Sequence, residues 1–184
     1  MSKRQSPRPW SVPLAVQGIP AEGQQHHLVA DASARAAVAR LAGLPEVARL
    51  EAELATVPHG ADGLRVTGQV SATVGQICVV TLEPMQSAIV EAIDVLYLRD
   101  PPGSGGEAAS ADEEPGKVGD ERIEALEDGT VDLGAIATEF LILGIDPYPR
   151  KPEAMFAPPP ADEPSSSPFA ALATLKKAPN DSSG

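Results

Sequence analysis

Residues 128–149, DGTVDLGAIATEFLILGIDPYP, decide how this chain folds. The turn pair Asp128-Gly129 leads to two candidate helix caps, Thr130 and Asp132, and an apolar run follows. Leu133, Ile136, Phe140 and Leu143 recur at helical spacing, which predicts one apolar ridge along a helix face. Leu141, Ile142 and Ile145 fill much of the other side, so the last turns are apolar nearly all round. A helix of that kind is buried from several directions or clasped by a partner. Pro147 cannot donate an amide and disfavours helical geometry at Asp146, so the helix is expected to stop near Gly144. The rest of the chain is expected to pack around it.

Working back from the helix, the clearest β signal runs over residues 64–98. Leu64, Val66, Gly68, Val70, Ala72 and Val74 alternate with Arg65, Thr67, Gln69, Ser71 and Thr73, giving one buried and one wet face. Gly75 suggests a bulge or close approach, ICVVTL (77–82) reads as a continuing, more buried strand, and Glu83-Pro84 marks the turn. Residues 87–98 return with Ile89, Glu91, Ile93, Val95 and Tyr97 on one side. Connections this short predict an antiparallel meander and not parallel crossovers. Earlier, WSVPLAVQ (10–17) alternates as an edge strand, because Pro13 has no amide to give a ladder. Residues 25–30 form a second short strand candidate after a loop at 18–23. Asp31 caps a predicted helix with Ala34, Ala37, Val38 and Leu41 on one face and Gly43 at its end. Residues 44–57 stay ambiguous: Leu44, Val47, Leu50 and Leu54 keep helical spacing, yet pairing can draw the second half into a strand.

The 184 residues suit one domain with tails, and a core of Ala, Val, Leu and Ile, since only 3% of the chain is aromatic. The fold class is therefore α+β: an antiparallel β-meander, or partly closed sheet, on a central apolar helix. Residues 1–9 read as a flexible basic arm, 10–152 as the domain, and 153–184 as a flexible Pro/Ser-rich tail. Within the domain, about 101–121 forms an acidic insert. From 107 to 128 there are nine acids against Lys117 and Arg122, with few apolar groups to offset ordering, so disorder is expected. In the tail, SPFAALATLKK carries Phe169, Leu172 and Leu175 at helical spacing, a short docking segment at 168–177.

A net charge of −12 repels phosphate backbones and argues against a general nucleic-acid binder. Lys3, Arg4, Arg8, Arg150, Lys151, Lys176 and Lys177, the basic clusters, lie near the ends and read first as solvated tail charges. One cysteine excludes an intramolecular disulfide. No window approaches the roughly 20 apolar residues of a membrane span, and the N-terminus has no signal-peptide core, so a soluble cytoplasmic protein is expected. Cys78, flanked by Ile77 and Val79, reads as an inert core thiol beside no basic residue. Adjacent His26 and His27 point to opposite faces of a strand, and His59 sits in a turn; neither arrangement predicts a metal site. Glu83 and Glu139 have no nucleophile or histidine beside them in sequence. Glu139 is expected to bond a backbone group or a base such as Arg150, and Glu83 to shape the turn. No catalytic, metal or cofactor site is expected.

Three pieces taken together, QICVVTLEP (76–84), residues 128–149 and PFAALATLK (168–176), resemble the YceD family, the bacterial large ribosomal RNA subunit accumulation proteins, in its shorter-motif proteobacterial branch. The resemblance extends over residues 10–177. It marks Cys78, Leu82, Glu83, Pro84, Asp132, Leu133, Glu139, Leu143, Pro147, Pro149, Phe169, Leu172 and Leu175 as motif or partner-binding candidates. The family pattern often has a second cysteine three residues after the first; here that position is Thr81. What the resemblance implies is a non-enzymatic factor for synthesis, processing or stability of 23S rRNA and for large-subunit assembly. Its partner would be a ribosomal protein, the 23S rRNA precursor or both, with no membrane and no cofactor. An acidic insert suits a basic ribosomal protein. The alternative is a generic protein–protein adaptor using the apolar helix and the 168–177 segment.

Overall fold

The computed structural model describes residues 8–60, 63–99, 101, 117–118, 121–126 and 128–156. In chain order these give β1 (Pro13–Ala15), β2 (Gln24–Val29), α1 (Ala32–Ala42), β3 (Glu46–His59), β4 (Gly63–Ile77) and β5 (Pro84–Leu98). Then come β6 (Lys117–Val118), β7 (Glu121–Ala125), β8 (Thr130–Asp132) and α2 (Leu133–Leu143). Six strands form one sheet in the order β2-β3-β4-β5-β7-β6, and β1 pairs with β8 as a separate ribbon.

The alternation at 64–98 becomes the central β4–β5 hairpin, in register from Ile77 opposite Pro84 to Leu64 opposite Tyr97. Leu64, Val66, Val70 and Val74 of β4 and Ile93 and Val95 of β5 turn inward and are buried. α1 lies on β3 and α2 on β4 and β5, and both helices share one core cluster with Trp10. Each fully buried leucine among Leu50, Leu54, Leu64, Leu133 and Leu141 contributes roughly 1.5–3 kcal/mol of transfer free energy.

Several expectations are corrected. The sheet is mixed α+β as expected but not closed: β2 and β6 stand at opposite edges and do not pair. β7 runs parallel to β5, with Val95 opposite Arg122, so the meander is not wholly antiparallel. The 22 residues between these strands are long enough for the crossover that parallel pairing requires. Residues 117, 118 and 121, counted above in a disordered insert, are paired strand residues. The remainder of that insert, the arm up to residue 7 and the tail from 157, with Phe169, Leu172 and Leu175, lie outside the described residues.

Residues 46–59 are strand throughout, and their helical look has a physical cause. Pairing steps from Val47–Val74 to Arg49–Thr73, leaving Ala48 as a bulge. The extra residue shifts the phase, so Val47 and Leu50 both face the core three positions apart; from Leu50 the period returns to two through Ala52, Leu54 and Thr56. The bulge sits here, and Gly75 is instead the close approach, the other expectation for it: a β-carbon there would meet Glu46 Cγ at 2.9 Å. ICVVTL is likewise not a strand: β4 ends at Ile77 and the chain turns over 78–83.

α1 has both predicted caps. Asp31 accepts the Ala34 amide at 2.8 Å, and Gly43 ends the helix in the left-handed region. Its buried face is Ala34, Val38 and Ala39, whereas Leu41, expected inside, is exposed. In α2 the ridge facing the sheet is Leu133, Ala137 and Leu141 with Ile136. Leu143, expected on that ridge, is exposed, because it lies about 200° round the axis from Leu141. Gly134 lets the chain before β1 cross the helix start: a β-carbon there would meet the Trp10 carbonyl oxygen at 2.9 Å. No helix among the described residues is long and apolar enough to cross a membrane.

Candidate functional site

β4 leaves the sheet at Ile77, and backbone bonds close the turn that follows. The Cys78 amide donates to the Glu83 carbonyl at 2.9 Å, and the Leu82 amide donates to the Cys78 carbonyl at 2.9 Å. Leu82 adopts φ +58° and its side chain is 76% exposed. Pro84 then opens β5.

The chain leaving α2 is laid against this turn. Pro147 and Pro149 fix their own φ angles and have no amides, but their carbonyls remain acceptors, and the chain bends at Pro147 and Tyr148. Pro149 is buried, and its carbonyl receives the Val79 amide at 2.9 Å. The Gln76 side chain donates to the Asp146 carbonyl at 2.9 Å, and Lys151 Nζ meets Glu83 at 2.6 Å. The structure thus joins segments 76–84 and 146–151, separated by some 70 residues of chain.

Cys78 sits in this junction, not in a strand, and it has no solvent-exposed surface. The amides of Thr81 and Lys151 both donate to Sγ at 3.5 Å. The Thr81 side chain and these amides favour the thiolate and hold the thiol down at about 6, against the opposing effect of burial. The expected burial of Cys78 is found, but it lies in a turn and not in a strand, and the backbone of Lys151, distant in sequence, touches it. Thiolate absorbance is expected to titrate near pH 6 and to vanish in Cys78→Ser. A midpoint at the ordinary thiol value would refute this.

A second cluster gathers at the other end of the sheet. Arg122 pairs with Glu124 at 2.7 Å, also pairs with Glu139, and lies over the Phe140 ring at 5.3 Å. Glu139 therefore engages a basic residue, as expected, but the base is Arg122 and not the Arg150 given as the example. Beside it, a hollow of about 420 Å³ is lined by Arg8, Tyr97, Glu124, Asp132, Ile136 and Glu139. Burial pushes the Tyr97 hydroxyl well above its usual range. Asp132 caps α2 through the Ala135 amide at 3.1 Å and also accepts from Arg8, Ser11 and the Val12 amide. Glu83 and Glu139 belong to different clusters, each neutralised by a cation. Half-buried His26 bonds Thr56 at 2.9 Å, while His27 is exposed. Among the described residues no group of three or more potential metal ligands comes together.

The family model for the large ribosomal RNA subunit accumulation protein YceD matches residues 66–176. The chain belongs to the YceD family. No curated protein and no solved structure matches it. The YceD match takes in both halves of the junction, the Arg122–Glu139 cluster, all of α2 and the segment carrying Phe169, Leu172 and Leu175. Membership gives the chain a general role in accumulation of the large ribosomal subunit. Of the motif residues, Leu133 is core and Asp132 is its cap, whereas Leu82, Leu143 and Pro147 face solvent. Sequence reading gave Gln76 and Arg122 no role and took Lys151, like Arg8, for a solvated tail charge, whereas both these bases are paired with carboxylates. For Lys151 the only signal was its place directly after the Pro-x-Pro stop.

Proposed function

We propose that this protein is a non-enzymatic cytoplasmic factor that supports synthesis, processing or stability of 23S rRNA and assembly of the large ribosomal subunit. One observation carries the reading: the YceD match spans two sequence blocks that the fold brings into backbone contact. A junction held by backbone bonds and displaying exposed apolar side chains suits binding of a partner. Glu83 in the junction and Glu139 in the second cluster are each paired with a cation, which suits neither acid nor base work. With a net charge of −12, a basic ribosomal protein is favoured as direct partner over RNA phosphates.

Depletion of the protein tests the reading. Expected are a raised level of 23S precursor and a fall in the large-subunit peak relative to the small-subunit peak on a gradient. Unchanged precursor and unchanged subunit profiles would overturn it. The exposed Leu82 and Tyr148 also favour a second reading, a protein–protein adaptor unconnected with ribosomes. Capture on the tagged protein separates the two, since enrichment of large-subunit proteins is expected only of the first.

A further inference from the structure

β2 is the edge of the sheet that carries no guard against a further strand. Among the described residues nothing pairs with its outer side. The Ala30 amide donates to the Leu50 carbonyl at 3.0 Å, and Leu28–Ala52, His26–Leu54 and Gln24–Thr56 follow at a period of two. Those residues direct their backbone groups at β3. By the alternation of an antiparallel ladder, the N–H and C=O groups of Gln25, His27 and Val29 then point away from the sheet. Sheet edges are ordinarily blunted by shortness, lysine, proline or a bulge. β6 is two residues long and starts with Lys117, and β1 of the ribbon is three residues long and starts with Pro13. β2 has six residues, QQHHLV, with no proline, no lysine, arginine or carboxylate, and an unbroken register. Val29 is left 60% exposed on it.

Charge names the occupant. Gln25, His27 and Val29 lie on the face of the sheet away from the helices, opposite Ala55, Glu53 and Glu51 of β3. Glu51 is paired with Arg49, whereas Glu53 accepts only from Gln69, at 3.5 Å, and meets no lysine or arginine among the described residues. On the other face Leu28 packs against the core and is only half-buried. We infer that β2 takes an extended basic segment of a partner protein as a seventh strand, with lysine or arginine on the glutamate face alternating with apolar residues on the Leu28 face. A residue added beside His27 stands two strand spacings, about 10 Å, from Glu53. A lysine or arginine and a glutamate side chain together bridge that gap over His27. Apolar residues beside His26 and Leu28 extend the core past its present edge. A second copy of this chain is disfavoured, since it brings its own net charge of −12 and the same glutamates. Residues 24–29 lie apart from the junction and outside the YceD match, so the inference goes beyond the ribosomal reading and does not rest on it.

The probe is a synthetic octapeptide alternating lysine and valine, with a glutamate–valine octapeptide as its control, added in excess to the full-length protein. The basic peptide is expected to slow amide hydrogen exchange about tenfold or more at Gln25, His27 and Val29 and to leave His26 and Leu28 unchanged. His27→Pro removes an outward amide and leaves the β3 ladder, so it is expected to abolish the slowing at Gln25 and Val29 with the β4–β5 amides unmoved. Gln25→Lys/Val29→Lys keeps the backbone, blunts the edge and is expected to do the same. Glu53→Gln is expected to weaken peptide binding about two- to fivefold at low salt. Outward amides indifferent to the basic peptide would overturn the inference, as would equal slowing by the acidic peptide or slowing that survives both edge variants. Slow exchange in the free protein that deepens with protein concentration would assign the edge to a second copy and would equally overturn it.

Discussion

Alanine at Gly68 is expected to destabilise the protein by at least about 4 kcal/mol, most of the stability of a domain of this size. Gly68 lies in the middle of β4, opposite Leu54 on one side and Ile93 on the other, with φ +146°. A β-carbon built there would stand 2.0 Å from the Glu53 carbonyl oxygen and 2.9 Å from Leu54 Cα. Both obstacles are backbone of the neighbouring strand, so no side-chain rotation relieves the clash. β3 must move away from β4, and the core contacts of Leu54 and Val66 go with it. Urea unfolding of Gly68→Ala, together with its soluble yield, measures the effect. A midpoint within about 1 kcal/mol of wild type would show that the strand pair tolerates the side chain.

The second large effect is expected at Asp132. Its carboxylate is nearly inaccessible yet accepts four bonds: Ser11 Oγ at 2.6 Å, the Val12 amide at 2.8 Å, Arg8 at 2.9 Å and the Ala135 amide at 3.1 Å. Asp132→Ala removes the cap of α2 and strands those donors, an expected loss of about 3–5 kcal/mol. Asp132→Asn keeps the size and one acceptor oxygen and is expected to lose about half as much. Burial alone would raise the pKa of Asp132; Ser11, Val12, Arg8 and Ala135 together outweigh it and hold the group below its usual 3.8. A folded pKa below the unfolded one means fewer protons bound in the native state. The contribution is therefore complete above the unfolded value and disappears as pH falls through the folded one. Wild type is expected to lose stability from about pH 5 downward more steeply than Asp132→Ala, and parallel acid curves would refute this.

What the sequence shows and what it hides divide along range. Asp31 and Gly43 frame α1 because both act on backbone within a few residues. The β4–β5 hairpin was legible because its alternation is long and unbroken. Residues 46–59 were not, because one bulged alanine puts Val47 and Leu50 at a helix-like spacing. ICVVTL has the composition of a strand, and its turn is imposed by the Cys78–Glu83 and Val79–Pro149 backbone bonds, which no local pattern reports. β7 joins β5 across 22 intervening residues, so its parallel pairing left no periodic trace. The motif residues of the junction were visible as motifs. Their convergence, with Lys151 meeting Glu83 across 68 positions, was not. Charge signs alone did not choose Arg122 over Arg150 for Glu139, because the choice depends on where β7 lies.

The bulge at Ala48 also constrains how this strand can change in length through descent. Inserting or deleting a single residue elsewhere in β3 turns every inward side chain on one side of the change out to water, so such changes are tolerated only two at a time. At Ala48 the parity is already broken, and loss of one residue there merely straightens the strand, leaving Val47 facing inward opposite Val74 and two positions from Leu50. Position 48 is thus the one hinge of the strand's reading frame, the place where related chains can differ by an odd number of residues and keep the same interior.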